Sequence, residues 1–283
     1  MTYVLFDIGG TKSRIAVTDD LKTFIRTETF TTPNDPTKFV TKIAEFSSLS
    51  MKDGPLEGIV GGIRGVLNEV KTGLEHDAIL SSWIDFNICE ELEKILKAPV
   101  ILENDTALAG LGETLFGAGQ GVDLVAYHTI STGVGGVKIT NGHIDITSAG
   151  FEPGHQVLDI DRTILGDDIT PTLENLISGK AVEERMGTKP YDIPQDDIIW
   201  DELAGYLAQG LRNTILYWSP EIIILGGSMM TGDPNIPLEV VRKETVAVLD
   251  DVVSSPFITL AKLGDEAGLY GAMALAEQQK ETI

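Results

Sequence analysis

The chain has 283 residues, of which 42% are hydrophobic, and its formal net charge is −22. This length is enough for two domains that each bury an apolar core. The negative charge argues against nucleic acid as a partner, because nucleic-acid binding depends on Lys and Arg at the phosphates. No apolar run reaches the roughly 18 residues of a membrane helix, and the N-terminus lacks the layout of a signal peptide. We therefore expect a cytoplasmic protein with neither a membrane nor a nucleic-acid partner.

The first predicted elements are two strands within residues 3–17, joined by the turn Asp-Ile-Gly-Gly-Thr at residues 7–11. Glycines at such a bend leave backbone N–H groups uncovered, so that an anionic oxygen can approach them. Asp7 adds a carboxylate that can hold a hydrated Mg²⁺, and the Thr11 hydroxyl can donate to a phosphate oxygen. The segment predicts a phosphate-binding turn, although an ordinary Gly-Gly hairpin with a capping Asp fits it equally well.

The middle of the first half alternates strands and helices. The predicted elements are a strand at 24–30, a helix at 37–46, a strand at 56–61, a helix at 84–96, a strand at 99–102 and a helix at 106–113. The single cysteine, Cys89, lies among apolar residues at helical spacing, and we expect it in the core. Asp105 stands where the last of these strands gives way to a helix. Because Asp is favoured at helix N-termini, this position alone predicts a cap.

A second strand–turn–strand unit covers residues 124–139, with the turn Ser-Thr-Gly-Val-Gly-Gly at 131–136. It repeats the first hairpin. Further on, a buried strand ends at Gly226-Gly227, where a flat adenine ring can lie against bare backbone. Together, the three glycine turns predict duplicated domains that face each other across a cleft, each contributing one clamp to a polyphosphate.

A glycine-rich run at residues 117–121 suits a hinge between domains. The predicted domains are a smaller N-terminal lobe, residues 1–116, and a larger C-terminal lobe, residues 117–266. Helices are predicted at 198–218, 238–248 and 267–279. A Rossmann dinucleotide site is excluded, because its Gly-x-Gly-x-x-Gly turn leads into a helix, whereas the first turn here leads into a strand.

In this order and spacing, the motifs resemble the ROK family of sugar kinases, within the superfamily of actin, hexokinase and Hsp70-type ATPases. The resemblance covers nearly the whole chain. Besides the glycine turns, it rests on Glu-Asn-Asp at 103–105, Glu-Pro-Gly-His at 152–155, the segment 172–179 and the C-terminal run 263–272. It implies an α/β, two-lobed actin/hexokinase-like ATPase fold with duplicated mixed-sheet domains around a cleft. It also implies a homodimer, and a final helix at 267–283 that packs back onto the first lobe.

The activity implied by the resemblance is phosphorylation of a hexose, glucose first, at its 6-hydroxyl by ATP, with Asp105 as general base. The residues implied to contact the sugar are Gly65, Asn104, Asp105, Glu152, His155 and Glu174. Those implied to bind the nucleotide are Asp7, Gly9, Gly10, Thr11, Lys12, Thr132, Gly133, Gly135, Gly136, Gly226 and Gly227. Asp7 is implied to hold Mg²⁺ through water.

Other members with these motifs act on fructose or on N-acetylhexosamines such as N-acetylmannosamine, and some accept polyphosphate in place of ATP. A non-catalytic sugar sensor of the same fold is a further alternative. Against the sensor stands the intact set of Asp7, Asp105 and both glycine turns.

The chain departs from the family pattern after Glu-Pro-Gly-His. Most relatives have a cysteine knuckle there that binds structural zinc together with the motif's His, but residues 156–169 contain no cysteine. His155 alone cannot supply the roughly four ligands of a closed zinc site, so we expect no structural zinc. We expect this segment to be held by five apolar residues instead, namely Val157, Leu158, Ile160, Ile164 and Leu165.

A second departure is Arg64, which lies where many relatives have a Pro-Gly-Pro turn close to the sugar. Two interpretations are open. Arg64 can reach a substrate anion, which would favour an acidic sugar, or it can form an ordinary surface pair with a carboxylate.

Overall fold

The computed structural model of the chain describes residues 1–50, 55–147 and 150–282. Within these residues the strands are β1 (Thr2–Ile8), β2 (Lys12–Thr18), β3 (Arg26–Thr31), β4 (Leu56–Ile63), β5 (Val66–Leu67), β6 (Leu74–His76), β7 (Val100–Asn104), β8 (Leu124–Ile130), β9 (Val134–Thr140), β10 (His143–Ile144), β11 (Ile222–Gly226) and β12 (Phe257–Leu260). The helices are α1 (Pro36–Ser50), α2 (Ile88–Leu96), α3 (Asp105–Leu115), α4 (Leu173–Ile177), α5 (Gly179–Met186), α6 (Ile199–Trp218), α7 (Ser228–Thr231), α8 (Leu238–Leu249) and α9 (Ala267–Thr282).

Chain contacts divide the protein into two compact units. The first unit is Met1–Leu115 together with Asp265–Ile283, and the second is Phe116–Gly264. Residue 283 of the predicted final helix lies outside the described residues. The sequence-based domain boundaries at 116 and 266 stay predictions.

The first unit contains a five-stranded sheet in the order β3-β2-β1-β4-β7. β1 is antiparallel to β2 and parallel to β4, which is in turn parallel to β7. The rings of Phe6, Phe39 and Trp83 pack edge-on in its core, with centroid distances of 5.6 and 5.5 Å, and none is more than 1% exposed. This packing supports β1, which carries Asp7 as its second-last residue.

The parallel strands of the first unit end at a common edge of the sheet. Asp7 on β1 pairs with Gly62 on β4, and Gly62 pairs with Glu103 on β7. Residues that follow the ends of parallel strands meet at that edge. The register therefore brings Asp7, Arg64 and Asp105 together, although they are far apart in sequence.

Helix α9 packs against α3 through glycines. A Cβ added to Gly112 would lie 2.8 Å from the backbone nitrogen of Gly271, and one added to Gly271 would collide with the carbonyl of Leu108. Close approach of two helices requires such small residues at the contact. This contact joins the C-terminal helix to the first unit.

The second unit repeats the arrangement of the first. Its five-stranded sheet has the order β10-β9-β8-β11-β12, with β8 antiparallel to β9 and parallel to β11. Helix α6 buries Leu203, Leu207 and Leu211 at four-residue spacing, as expected for an amphipathic helix against a core. The predicted α/β class with duplicated mixed sheets is thereby confirmed.

Helix α2 begins four residues later than the sequence pattern suggests. Asp85 has a positive φ of 64°, which interrupts a helix, and the Asn87 side chain accepts a hydrogen bond from the Glu90 N–H as the N-cap. Cys89 is 7% exposed and burial raises its pKa to about 12, so the predicted core thiol is confirmed.

The structure differs from expectation in how residues 156–169 are held. Three of the five apolar residues expected to anchor the segment are exposed, because Val157, Ile160 and Ile164 keep 52%, 76% and 44% of their surface accessible. Leu165 is buried and Leu158 packs against the core. Apolar burial therefore explains only part of what holds residues 156–169 in place.

Two polar side chains, Asp159 and Arg162, hold the rest of this segment through hydrogen bonds to its backbone. The Asp159 carboxylate accepts from the N–H groups of Thr163, Ile164 and Leu165 at 3.1, 3.1 and 2.8 Å. Nη1 of Arg162 donates to the carbonyl oxygens of Asp167 and Ile169. The bonds from Leu165, Ile164 and Thr163 lower the pKa of Asp159, because they favour its charged form.

Across the part of the chain that the structure describes, we find no helix both long and apolar enough to cross a membrane.

Candidate active site

Asp7, at the end of β1, is flanked by charge and by bare backbone. It stands opposite Arg14 on β2, and Arg14 Nη1 lies 3.6 Å from Asp7 Oδ2. Nη2 of Arg14 lies 2.6 Å from Asp265 Oδ2. A Cβ on Gly268 would lie 2.7 Å from Asp7 Cγ, so α9 packs against the carboxylate only because this residue is glycine.

The pKa of Asp7 is raised to about 7. The main cause is burial, followed by the negative charge of Asp105, while Arg14 lowers the pKa. A cation bound nearby would stabilise the ionised form of this carboxylate. Arg14 and Gly268 were not predicted as site residues, although Arg14 lies in the strand after the first glycine turn and Gly268 in the C-terminal run 263–272.

The first glycine turn is braced from within. The Gly9 N–H donates to the Lys12 carbonyl at 3.0 Å, so this amide is not uncovered as expected, because the hairpin itself uses it. Thr32 supports the turn from the end of β3, its hydroxyl donating to Gly9 O at 2.7 Å and its N–H to Thr11 O at 3.0 Å. Thr11 and Lys12 are exposed.

Asp105 is the first residue of α3, and its neighbour Asn104 is the cap. Asn104 Oδ1 accepts from the Ala107 N–H at 3.1 Å, and Asn104 Nδ2 donates to the carbonyl of Gly65 at 3.1 Å. The oxygen and the nitrogen of the Asn104 amide are thus both hydrogen-bonded to backbone groups. Asp105 Oδ1 accepts from the adjacent Thr106 N–H at 2.7 Å. The helix therefore does not depend on Asp105 for its N-cap.

The surroundings of Asp105 favour its protonated form. Burial raises its pKa, the charge of Arg64 and the bond from Thr106 lower it, and Asp77 raises it further. Gly62 allows the close approach, since a Cβ there would lie 3.0 Å from Asp105 Cα. The net direction, upward, is the one expected for a group that must accept a proton near neutral pH.

Arg64 and Gly65 form a turn that closes on Asp77. Gly65 has a φ of +98°, and a Cβ there would lie 2.8 Å from the Cβ of Asp77, so this position requires glycine. Arg64 Nε lies 3.0 Å from Asp77 Oδ2. Arg64 thus pairs with a carboxylate, but a buried one, with 5% of its side chain exposed.

In the second unit, Glu174 on α4 contacts the second glycine turn. Glu174 Oε2 accepts from the Val134 N–H at 2.8 Å, and a Cβ on Gly133 would lie 2.7 Å from the same oxygen. The turn itself is closed by a bond from the Ser131 N–H to Gly133 O at 2.8 Å. Thr132, Gly135 and Gly136 belong to the same hairpin.

The motif at 152–155 packs against this turn. A short 3₁₀ turn at Pro153–His155 places Gly154 directly against the Val134 carbonyl, where no side chain would fit. His155 Nδ1 lies 3.4 Å from Glu152 Oε2. Burial raises the pKa of Glu152, His155 lowers it and Glu174 raises it, so these three groups are close to one another. Glu152 thus lies within ion-pair distance of His155 and close to Glu174.

Gly226 ends β11 and Gly227 follows it, beside the second glycine turn. Gly227 has a φ of +85°, and a Cβ there would collide with the Ile130 carbonyl. The Oγ atoms of Ser131 and Ser228 lie 3.1 Å apart. The second unit thus brings two of the predicted nucleotide elements together.

The predicted site residues divide between the units. Asp7, Gly9, Gly10, Thr11, Lys12, Gly65, Asn104 and Asp105 lie in the first unit, and Thr132, Gly133, Gly135, Gly136, Glu152, His155, Glu174, Gly226 and Gly227 lie in the second.

The residues of the first unit fit a Mg²⁺ that is held mainly by other ligands. The described residues contain no group of three or more His, Cys, Asp or Glu that could hold a metal ion. Mg²⁺ commonly keeps several waters and takes only one or two carboxylates, with phosphates completing its shell. Asp7, with its raised pKa and the Asp105 charge nearby, is a suitable carboxylate of this kind.

Each of the two α/β units combines an antiparallel hairpin with parallel strands, which is the arrangement expected for the actin/hexokinase-like fold. The chain matches the model of the ROK family over residues 3–279. It therefore belongs to the ROK family, and the predicted membership is confirmed.

Relatives from sequence and structure agree with this assignment. The chain is 29% identical to the fructokinase of Lactococcus lactis subsp. cremoris over 90% of its own length and 87% of the relative's. It superposes on the ROK hexokinase from Thermus thermophilus with a TM-score of 0.84 and 27% identity, covering 99% and 100% of the two chains. A ROK glucokinase from Streptomyces griseus, in complex with glucose and AMPPNP, gives a TM-score of 0.78 and 25% identity over 98% and 100%. The relatives named here are sugar kinases, and the chain shares with them its fold over nearly its whole length.

Proposed function

We propose that the protein transfers the terminal phosphoryl group of ATP to the 6-hydroxyl of a neutral hexose, with Asp105 as general base. One observation carries the proposal. Asp105 sits at the start of α3 with a raised pKa, although Asn104 already caps that helix. An Asp that the fold does not need as a cap, next to a glycine turn and a second carboxylate, suits proton transfer.

In the proposed reaction, Asp105 accepts the hydroxyl proton as the sugar oxygen attacks the terminal phosphorus. The bond to the oxygen bridging the last two phosphates breaks, and ADP leaves with its electron pair. Mg²⁺, when bound, would neutralise phosphate charge, and Asp7 would hold it through water. The turn around Gly10 and Thr11 would bind phosphate oxygens, with Gly9 serving for close approach of the backbone.

The sugar contacts are proposed for Gly65, Asn104, Glu152, His155 and Glu174. Carboxylates, an amide and an imidazole suit the hydroxyl groups of a hexose. Asn104 acts here mainly by holding Gly65 and α3, because both ends of its amide are engaged. The proposed nucleotide residues of the second unit are Thr132, Gly133, Gly135, Gly136, Gly226 and Gly227.

Glucose and fructose are the two leading substrates. The sequence motifs favour glucose, whereas the fructokinase of L. lactis is among the relatives. An N-acetylhexosamine such as N-acetylmannosamine is the next alternative. We also propose a homodimer in the cytoplasm, on the family resemblance.

The test is a panel of substrates assayed by ADP release with purified protein and Mg²⁺. The panel contains glucose, fructose, mannose, N-acetylmannosamine and a sugar acid, and polyphosphate replaces ATP in a parallel series with product detected as sugar phosphate. Turnover of a neutral hexose, with the product identified as its 6-phosphate, is expected. Sugar binding without turnover on any member of the panel would favour a sensor instead and refute the proposal.

A further inference from the structure

Arg64 reaches from the end of β4 to the first glycine turn. Its backbone N–H donates to the carbonyl of Ile8 at 3.0 Å, next to that turn. Its guanidinium lies against Gly10, where Nη1 is 2.9 Å from the position that a Cβ would occupy. The cation and the predicted phosphate turn are therefore in direct contact within the first unit.

Asp77 fixes the guanidinium in this position. The short β5–β6 ladder pairs Val66 with His76 and so brings Asp77 next to Arg64. Asp77 Oδ2 accepts a hydrogen bond from Arg64 Nε, and Oδ1 accepts from the N–H groups of Ile79 and Leu80 at 2.7 and 2.5 Å. A carboxylate held at both oxygens is rigid, and so is the cation bound to it.

The guanidinium keeps donors available. Among the described residues, the bond from Nε to Asp77 is the only hydrogen bond that the Arg64 side chain makes, and 28% of this side chain is exposed. Arg14, the other cation near Asp7, is engaged with Asp7 and Asp265. Nη1 and Nη2 of Arg64 are thus available to an anion, beside the exposed Thr11 and Lys12 of the turn.

The charge of Arg64 also acts on Asp105, whose pKa it lowers against the larger effect of burial. One cation thus lies between the proposed phosphate turn and the proposed base. That is the region through which the phosphoryl group must pass. In phosphoryl transfer, charge develops on the oxygens of the moving group, and a planar guanidinium fork matches them.

Building on the proposed kinase function, we propose that Arg64 contacts the transferred phosphoryl group and stabilises its transition state, held in place by Asp77. The sugar oxygen forms its bond to phosphorus and loses its proton to Asp105, while the bond to the ADP oxygen breaks. Arg64 donates hydrogen bonds to the phosphoryl oxygens throughout and exchanges no proton. This assignment competes with the acidic-sugar interpretation, in which Arg64 would bind the substrate carboxylate.

The test compares Arg64→Gln and Arg64→Lys with the parent and with a matched control, Arg26→Gln, a strand arginine whose guanidinium lies over Phe46. Initial rates give kcat and the KM for the hexose and for ATP. Titration with ADP, and with ADP plus aluminium fluoride as a mimic of the transition state, both with sugar present, gives a readout apart from turnover.

For Arg64→Gln we expect kcat to fall about 10²–10³-fold, the usual loss for one preorganised transition-state donor. KM for the hexose should stay within about threefold, a difference below 1 kcal/mol. Affinity for ADP with aluminium fluoride should fall about 10²-fold, whereas affinity for ADP alone should stay unchanged. Arg64→Lys should recover part of both losses, because it keeps charge without the fork.

Three outcomes overturn the assignment. If kcat of Arg64→Gln stays within about threefold of the parent, Arg64 is only an ion-pair partner. If only the sugar acid loses turnover, the acidic-sugar interpretation is correct. If both ADP complexes weaken equally, Arg64 binds nucleotide without selectivity for the transition state. A parent protein that phosphorylates no sugar refutes the kinase proposal itself, and this inference falls with it.

Discussion

Asp7 and Arg14 stand opposite each other on β1 and β2, with Arg14 Nη1 3.6 Å from Asp7 Oδ2. The same guanidinium bonds Asp265 at 2.6 Å. One cation is therefore shared by two carboxylates, and Asp105 adds a third negative charge near Asp7. The cluster is short of positive charge in the protein alone, which is the condition expected where a Mg²⁺–nucleotide complex binds.

The first prediction follows from this shortage and concerns stability without nucleotide or Mg²⁺. The pKa of Asp7 is about 7 in the folded protein, whereas that of an ordinary Asp side chain is 3.8. Because the folded state prefers the protonated form, stability is full below pH 4 and is lost as pH rises towards 7. Asp7→Asn should remove this loss and raise the free energy of unfolding at pH 8 by about 1–4 kcal/mol, while abolishing turnover.

Urea unfolding at pH 5, 6.5 and 8 measures this effect. The gain of Asp7→Asn over the parent should increase with pH. Glu57→Gln, an exposed carboxylate on β4, serves as the control and should show no such trend. A variant less stable than the parent at pH 8 would contradict the electrostatic argument.

The second prediction concerns the proposed base. Asp105→Asn keeps the shape of the side chain but removes the proton acceptor, so kcat should fall by about 10²–10⁴-fold. Because Asn104 caps α3 and burial raises the pKa of Asp105, the free energy of unfolding at neutral pH should not fall. Sugar affinity from calorimetry should also be retained. Turnover within a few-fold of the parent would show that Asp105 is not the base.

The third prediction concerns the cysteine-free segment, residues 156–169. The purified protein should contain no stoichiometric zinc, and EDTA should leave its thermal midpoint unchanged once Mg²⁺ is controlled. Asp159→Asn should lower the midpoint by several degrees, because three backbone N–H groups lose a charged acceptor. Asp161→Asn, an exposed neighbour, should not.

Elemental analysis and thermal melts with and without chelator decide this prediction. About one zinc per chain would overturn the first part. Equal midpoints for Asp159→Asn and Asp161→Asn would show that the carboxylate does not organise the segment.

The fourth prediction concerns acid sensitivity of the second unit. His128 is fully buried on β8, its ring stacked on Trp218 at 5.6 Å and its Nε2 3.1 Å from the Thr214 hydroxyl. Burial lowers its pKa to about 4 from 6.5. The neutral ring contributes stability that is full above pH 6.5 and is lost as pH falls towards 4, in total about 3 kcal/mol.

His128→Gln should therefore flatten the dependence of the unfolding free energy on pH between 6.5 and 4, whatever its effect on absolute stability. The matched control is His143→Gln, an exposed histidine on β10, which should keep the parent's slope. Chemical denaturation at closely spaced pH values measures the slopes. A slope unchanged in His128→Gln would mean that His128 does not titrate on unfolding.

The sequence by itself determined the two hairpins, the glycine turns and the family. These features depend on residues that are close in the sequence. Apolar alternation defines a strand, and glycine defines a bend, within a few positions of the chain. The same holds for helices such as α6, whose apolar spacing is visible in one segment.

Only the tertiary structure decided what the charged groups do. The pairing of Arg14 with Asp7, the bond from Asn104 to the Gly65 carbonyl and the ion pair of Asp77 with Arg64 link residues on separate elements. A pKa depends on burial and on charges from several elements at once, which no local pattern contains. For this reason, Arg64 was ambiguous in the sequence and has a definite place in the fold.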